Sequence, residues 1–431
     1  MKSKKLLLLE KLLRLMAIAV LKRHKPKIVA ITGSVGKTSA KVAIFAVLSS
    51  KYNVRENQKN YNNEIGIPLT IIGSESGGRN ILKWTWVFLK WLFVLIFPKY
   101  PEILIFELGV DRPDDMKYFM SFVQPDVGVV TNISLSHIEF FKTVENIAKE
   151  KRVLIESLKP DGYAVLNVDD EQALAMSEHT KAQIITYGLA ENASVNASSP
   201  IYNFKGDEPE GISFKLNYAG KNVPIRLKNL LAAHYVYAAL ASVSVGIIFK
   251  INLVDIATAL KSLRAPAGRL NLLDGINGSH IIDDTYNASP ISTGSALDVL
   301  GQMKAKRKIA VLGDMLELGD QTEAGHREIG KKIFSLNADI FVAVGRHMRY
   351  TISQLIELGF PHGKILQFDN PLTAAAAVAG IVKDGDLILV KGSQGIRMEK
   401  IVERIIADPS QAENLLCRQN KEWKNKPFMQ L

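Results

Sequence analysis

Two glycines, a lysine and three hydroxyl residues fall within Gly33-Ser34-Val35-Gly36-Lys37-Thr38-Ser39. The apolar, β-branched run Ile28-Val29-Ala30-Ile31-Thr32 precedes them, and a helix-like stretch from Ala40 to Leu48 follows. Strand, glycine-rich turn and helix form a cradle for phosphate. Glycines let backbone N–H groups close around phosphate oxygens, and the helix start adds its positive dipole end. In such a loop Lys37 reaches the β/γ-phosphates and Thr38 offers its hydroxyl to Mg2+. The longer form of the motif has glycine where Ile31 stands, so this is the shorter GxxGKT version. The plainer alternative is a glycine-rich surface turn. Strand, loop, Lys-Thr and helix in that order favour nucleotide binding.

Two further polar residues end apolar runs. Ile103-Leu104-Ile105-Phe106 delivers Glu107, and Val129-Val130 leads through Thr131 and Asn132 to His137. Ligands of open α/β sheets bind at such carboxyl edges. A carboxylate and a hydroxyl beside a triphosphate make a Mg2+ site. Histidine is a less usual Mg2+ ligand, so His137 taken alone reads as structural.

The elements that must position these groups are those of an α/β protein. At 431 residues the chain has room for two or three domains with large cores. Strand-like runs at 103–106, 127–130 and 163–168 alternate with helical stretches. Residues 193–227 alternate with Gly and Asn turns and predict an antiparallel ribbon. Ala265-Pro266-Ala267-Gly268-Arg269 is a candidate linker. Beyond it, runs at 281–284, 309–312, 340–344 and 387–390 predict a second α/β domain with a mainly parallel sheet. The expected organisation is an N-terminal helix (1–27), a P-loop central domain (28–264) with a mainly parallel sheet and an apolar insert (81–97), and a Rossmann-like α/β domain (265–431).

A net charge of +11 favours anionic partners: nucleotides, nucleic acid or an acidic membrane surface. No basic stretch interleaved with aromatics supports nucleic acid. The single cysteine, Cys417, excludes an internal disulfide framework and a thiolate metal cluster, and fits a reducing cytoplasm. No apolar run approaches the ~20 residues of a membrane span. The leucine- and lysine-rich segment 1–27 reads as a basic amphipathic helix, either docked on the first domain or lying on a membrane surface. Residues 81–97 hold three of the four tryptophans and only two charges, Lys83 and Lys90. That composition suits a membrane interface or a partner; the alternative is a helical hairpin buried on its own protein.

The motifs GSVGKT (33–38), NYNNEIGIPLT (60–70), VTNISLSHIEFF (130–141), IIDDTYNASP (281–290) and VLGDMLELG (311–319) together resemble the Mur ligase family, in its dipeptide-adding branch. The resemblance runs from about Ile28 to Ile405. It implies an ATP-dependent amide ligase with an acyl-phosphate intermediate, most simply adding D-Ala-D-Ala to a UDP-muramoyl-tripeptide-like cell-wall precursor. It implies ATP and Mg2+ as cofactors, with Thr38, Glu107 and His137 as metal ligands. Lys151 aligns with the lysine that the family carbamylates, with Lys149 as the alternative alignment. Tyr286 and Asn287 match adenine-side residues, and Arg269 the linker arginine close to the phosphates. Asn62, Asn63, Asp314 and Lys391 match substrate-side positions. Asn63 and Asp314 could equally cap helices, and His326 could be an ordinary surface helix residue.

Departures from the family pattern bear on the substrate. Only about 27 residues precede the first strand, too few for a separate uridine-gripping domain. The acceptor is then held differently, or differs: a lipid-linked, folate-like or cofactor carboxylate. Tyr235 stands where the family has asparagine, so an adenine contact is replaced by stacking or lost. The expected enzyme is monomeric and cytoplasmic, with a membrane surface or protein partner met through 1–27 and 81–97. An ATP-binding membrane scaffold is the alternative from another class.

Overall fold

The computed structural model describes residues 4–57, 61–78, 80–110, 112–134, 141, 143–206 and 208–428. The chain divides into two compact units. The first comprises 1–200, 214–226 and 233–263; the second comprises 201–213, 227–232 and 264–431.

The first unit opens with helix α1 (Lys4–His24), which buries Leu13, Met16, Ala17 and Val20. Burying a large aliphatic side chain contributes about 1.5–3 kcal/mol, enough to hold the helix on the unit. Docking was thus the right alternative for this face of the segment. Strand β1 (Lys27–Thr32) leads into the glycine loop and helix α2 (Lys37–Ser49). The order continues with β2 (Val54–Glu56), α3 (Gly66–Ile72), α4 (Ile81–Ile96), β3 (Ile103–Glu107), α5 (Asp115–Met120), β4 (Val127–Val130), α6 (Val144–Glu156), β5 (Tyr163–Asn167) and β6 (Gln183–Gly188). The insert is one helix, not a hairpin: Asn80 caps its start by accepting from the Leu82 and Lys83 amides.

The sheet runs β2-β3-β1-β4-β5-β6 with every neighbour parallel. Strand β4 and β1 from Ile28 onward are wholly buried, as expected of strands covered on both faces. From β1 the chain goes one way to β2 and β3, then the other way to β4. That reversal opens a crevice at the carboxyl ends of β3, β1 and β4, where the glycine loop lies. Strands β7 (Val195–Lys205), β8 (Glu208–Tyr218) and β9 (Lys221–Lys228) continue the sheet order. The two-residue link between β8 and β9 permits only an antiparallel pair, as the alternating sequence predicts. Helix α7 (His234–Ile248) is rich in small residues and almost wholly buried.

In the second unit the sheet order is β10-β11-β15-β12-β13-β14: β10 (Asn271–Asp274), β11 (His280–Asp284), β12 (Arg307–Gly313), β13 (Ile340–Val344), β14 (Ile365–Phe368) and β15 (Asp386–Lys391). Only β10 is antiparallel. Edge strands β10 and β14 escape the sequence reading because they are short and less buried. Helices α8 (Pro290–Gln302), α9 (Thr322–Leu336), α10 (Met348–Glu357), α11 (Pro371–Ile381) and α12 (Glu399–Ile405) connect or follow these strands.

Candidate active site

The glycine loop is held by the segment after β4. Ser34 donates its amide to the Asn132 carbonyl at 2.8 Å, and Val35 donates to Asn132 Oδ1 at 2.8 Å. Thr131 Oγ1 donates to the Val35 carbonyl at 2.7 Å, and Ser34 Oγ to the Ser134 carbonyl at 2.8 Å. Gly33 needs to be glycine: its φ is +147°, and a Cβ there would lie 1.9 Å from Thr131 Oγ1. Gly36, with φ +82°, precedes α2 and offers no side-chain cap to its first turn. Those amides and the dipole make the anion site. Lys37 Nζ donates to the Gly33 and Ser34 carbonyls at 2.7 and 3.2 Å, so the cation lies along the loop it would share with phosphate. Ser39 is buried in the same turn.

Thr38 Oγ1 donates to Glu107 Oε1 at 3.0 Å, bringing a helix start and the end of β3 together. Glu107 Oε2 is buried without a hydrogen bond. A hydroxyl and a carboxylate oxygen without a hydrogen bond are hard oxygen donors and fit Mg2+. His137 lies outside the described residues. Lys151, on α6, is 3 % exposed, whereas Lys149 is exposed. Among the described residues no group of three His, Cys, Asp or Glu gathers as a metal site.

Two residues of this cluster escaped the sequence reading. Asn57 is buried after β2 and pairs with the Glu107 backbone twice: its Oδ1 accepts from the Glu107 amide at 2.8 Å, and Nδ2 donates to the Glu107 carbonyl at 3.2 Å. Lys41, one turn after Lys37, donates to the Asn57 carbonyl at 2.6 Å and lies 3.8 Å from both Glu56 and Glu107. Burial raises the Glu56 pKa, with Lys41 opposing. The i, i+4 repeat of Lys37 and Lys41 was the available signal. Asn63 caps: its Oδ1 accepts from the Ile65 and Gly66 amides at the start of α3. Asn62 packs beside Gly109, where a Cβ would lie 2.6 Å from its Nδ2. Tyr235 is 1 % exposed within the first unit, so its ring is not offered for stacking.

In the second unit, polar groups gather at the carboxyl ends of β11, β15 and β12. Lys391 Nζ donates to Asp284 Oδ2 at 2.6 Å and to the Asn287 carbonyl at 2.8 Å. Burial raises Asp284 and lowers Lys391, each opposed by the other's charge. The Lys391 ammonium is thereby committed to holding the loop that carries Tyr286 and Asn287. Arg269 stacks its guanidinium over Tyr286, 4.0 Å from the ring centroid. Asn287 is exposed, and its Oδ1 accepts from the Gln394 amide at 3.3 Å. Asp314 caps α10 by accepting from the Met348 amide at 2.9 Å, while its Oδ2 is buried without a hydrogen bond. Burial raises its pKa. His326 is fully buried, not a surface residue. Its Nδ1 lies 2.7 Å from the Thr322 carbonyl, and its Nε2 accepts from the Met315 amide at 3.1 Å. Those partners require a neutral ring protonated on Nδ1.

Burial pushes Asp283 up to about 6, against two hydrogen bonds from Thr285. Its native pKa lies above the unfolded value near 3.8, so its contribution is fullest below that value and is lost as pH rises through 6. Asp283→Asn keeps the Thr285 acceptor and removes this loss. At pH 7.5 the variant is expected to be more stable by about 3 kcal/mol, with a flatter profile between pH 4 and 6.5. Urea midpoints across that range check it; identical slopes for both proteins would refute it.

A glycine loop with a Thr38–Glu107 pair at a sheet reversal, followed by a second α/β unit, is the arrangement of a nucleotide-binding α/β protein. Residues 90–246 match the Mur ligase middle domain, and residues 268–394 match the Mur ligase, glutamate ligase domain. The UDP-N-acetylmuramoyl-tripeptide–D-alanyl-D-alanine ligase of Bacillus subtilis (strain 168) is 31 % identical over 400 residues, 92 % of this chain and 79 % of its own. The enzyme of the same name from Escherichia coli (strain K12) is 27 % identical, covering 88 % and 76 %. Among solved structures, MurF from Acinetobacter baumannii superposes with a TM-score of 0.77 at 25 % identity, over 91 % of this chain and 79 % of that one. MurF ligase from Thermotoga maritima in complex with ADP gives 0.74 at 25 % identity, over 94 % and 84 %. The chain belongs to the Mur ligase family: it is an ATP-dependent ligase that forms carbon–nitrogen bonds.

Proposed function

We propose that the enzyme joins D-alanyl-D-alanine to the terminal carboxylate of a UDP-muramoyl-tripeptide-like precursor. The observation that carries the chemistry is the Thr38–Glu107 pair at 3.0 Å beside the glycine loop, with the other carboxylate oxygen buried without a hydrogen bond and 3.8 Å from Lys41 Nζ. The likeness to the two D-alanyl-D-alanine ligases over about nine-tenths of the chain supports the substrate class. A carboxylate is a poor electrophile, so the acceptor first takes the γ-phosphoryl group of ATP, releasing ADP. The dipeptide amine then attacks the acyl phosphate, and the tetrahedral adduct expels phosphate to leave the amide. Lys37 and the α2 amides hold the phosphates in line; catalysis is positioning and charge stabilisation. Held by Thr38, Glu107 and His137, Mg2+ would neutralise charge on the phosphates. Tyr286 and Asn287 are assigned to adenine, Arg269 to phosphate, and Asn62, Asp314 and Lys391 to organising the substrate-side loops.

Lys151 is assigned as the carbamylated lysine. Condensation with CO2, with loss of a proton, converts its amine into an anionic oxygen ligand. Its burial, against the exposure of Lys149, supports this choice. Residues 28–264 and 265–431 are assigned as the ATP-binding and dipeptide-side domains of a monomer working in the cytoplasm, peripheral to the membrane. Phosphate release from ATP with Mg2+ tests the reading: release is expected only when UDP-muramoyl-tripeptide and D-Ala-D-Ala are both present. ATP binding without turnover on that pair would overturn the substrate assignment.

A further inference from the structure

Helix α4 is apolar on nearly all sides, yet of its side chains only Val87 is buried. Trp84, Val87 and Trp91 recur at helical spacing and pack into clusters with residues of α1 and α3. The Trp91 indole donates to the Met16 carbonyl at 3.0 Å, and His24 Nε2 lies 2.8 Å from the Val94 carbonyl, so α1 and α4 lie side by side. What remains outside is large and apolar: Ile81, Leu82, Trp86, Phe93 and Ile96 are 56–80 % exposed. At ~1.5 Å per residue this face is about 24 Å long. Helix α1 adds Leu8 and Leu15, 70 % and 57 % exposed. Lys4, Leu8, Lys11, Leu15 and Lys22 follow one another near one line of α1.

The charge on this face is of one sign. Exposed Lys4, Lys11, Lys22, Lys83 and Lys99 border the apolar residues, and the one acidic residue of α1 and α4, Glu10, is buried. Lysine is depleted in protein–protein interface cores, and a second copy of the face would bring like charges together. Lysine stems flanking tryptophan and leucine suit the headgroup boundary of a bilayer, where the ammonium meets phosphate and the ring sits below it. Among the described residues no helix is long and apolar enough to cross a membrane.

From this juxtaposition we infer that the α1–α4 face docks the enzyme on a bilayer surface rich in anionic lipid, with α4 lying in the interface plane. The inference deepens the peripheral location proposed above and is independent of which acceptor the ligase uses. The test is co-sedimentation of the full chain with phosphatidylcholine vesicles, with and without phosphatidylglycerol. Binding is expected on the anionic vesicles in 50 mM salt, at least about tenfold weaker on pure phosphatidylcholine, and falling steeply in 500 mM salt. Leu82→Glu with Phe93→Glu should abolish it; Lys11→Glu with Lys22→Glu should weaken it at least about tenfold. Thermal melts and phosphate release with soluble substrates should match the parent in both variants, which separates docking from folding and from the ligase reading. Absence of binding to anionic vesicles, or equal binding by the Glu variants, would overturn the inference. So would self-association that the Leu82 and Phe93 changes abolish while vesicle binding persists; that would assign the face to a second copy.

Discussion

Lys151→Ala is expected to lower turnover by at least about 10³-fold while changing ATP affinity less than about threefold. In the proposed reading the phosphates are gripped by the glycine loop and Lys37, which the substitution leaves in place. What it removes is the amine that would carry the carbamate oxygen, an interaction spent on the transferring group. Losing one preorganised electrostatic contact in a water-excluded site costs 10²–10³-fold, and loss of metal placement adds to it. Side-chain truncation at a site 3 % exposed also leaves a small void, so a thermal melt should accompany the kinetics. Lys149→Ala, at an exposed position, should retain most activity. Single-turnover phosphate release and ATP titration distinguish the outcomes. A Lys151 variant with normal turnover would end the carbamate assignment, and a dead Lys149 variant would move it.

The largest effect on stability is expected from Glu399→Ala. Glu399 is wholly buried between two guanidiniums: Arg397 Nε donates to its Oε1, and Arg418 Nε donates to its Oε2 at 3.2 Å. Both arginine side chains are under 5 % exposed. Removing the carboxylate leaves two buried cations without their counter-ion, a loss of about 3–5 kcal/mol. For a unit of this size that corresponds to a fall of about 8–15 °C in Tm. The damage should spread to nucleotide binding, because Arg418 also donates to the Thr285 and Tyr286 carbonyls. Calorimetry and ATP titration of the variant check both parts. Glu399→Gln, which keeps one acceptor, should lose less. A Glu399→Ala protein within about 1 kcal/mol of the parent would show the triad to be energetically idle.

Local chemistry was legible from the chain; long-range pairing was not. The glycine loop could be read because strand, turn and helix follow one another and each has its own composition. Glu107 was legible as the polar end of an apolar run. The supports of Glu107 were hidden, since Asn57 and Lys41 look like ordinary polar residues until β2, β3 and α2 converge. His326, in a family-like motif, could also be read as a surface position because its helix is mostly polar, yet its ring bridges the Met315 amide and the Thr322 carbonyl. At Tyr235 the alignment left an adenine contact either replaced by stacking or lost, and burial of the ring inside the first unit favours its loss. The one-sided exposure of α4 could not be deduced, because a helix apolar all round gives no direction.

Tyr286 is secured by a residue 132 positions further along the chain. Translation at about 5–20 residues per second therefore leaves some 7–26 s between synthesis of this loop and arrival of the arginine that holds its carbonyl. The phosphate loop and its partners are all made well before that time. The nascent enzyme is thus expected to complete its glycine loop well before the Tyr286 loop, which is finished only after Arg418 emerges. A stop codon ahead of Arg418 would leave the Thr285 and Tyr286 carbonyls permanently without this partner, so such a truncated protein is expected to keep an ordered glycine loop beside a loosened Tyr286 loop.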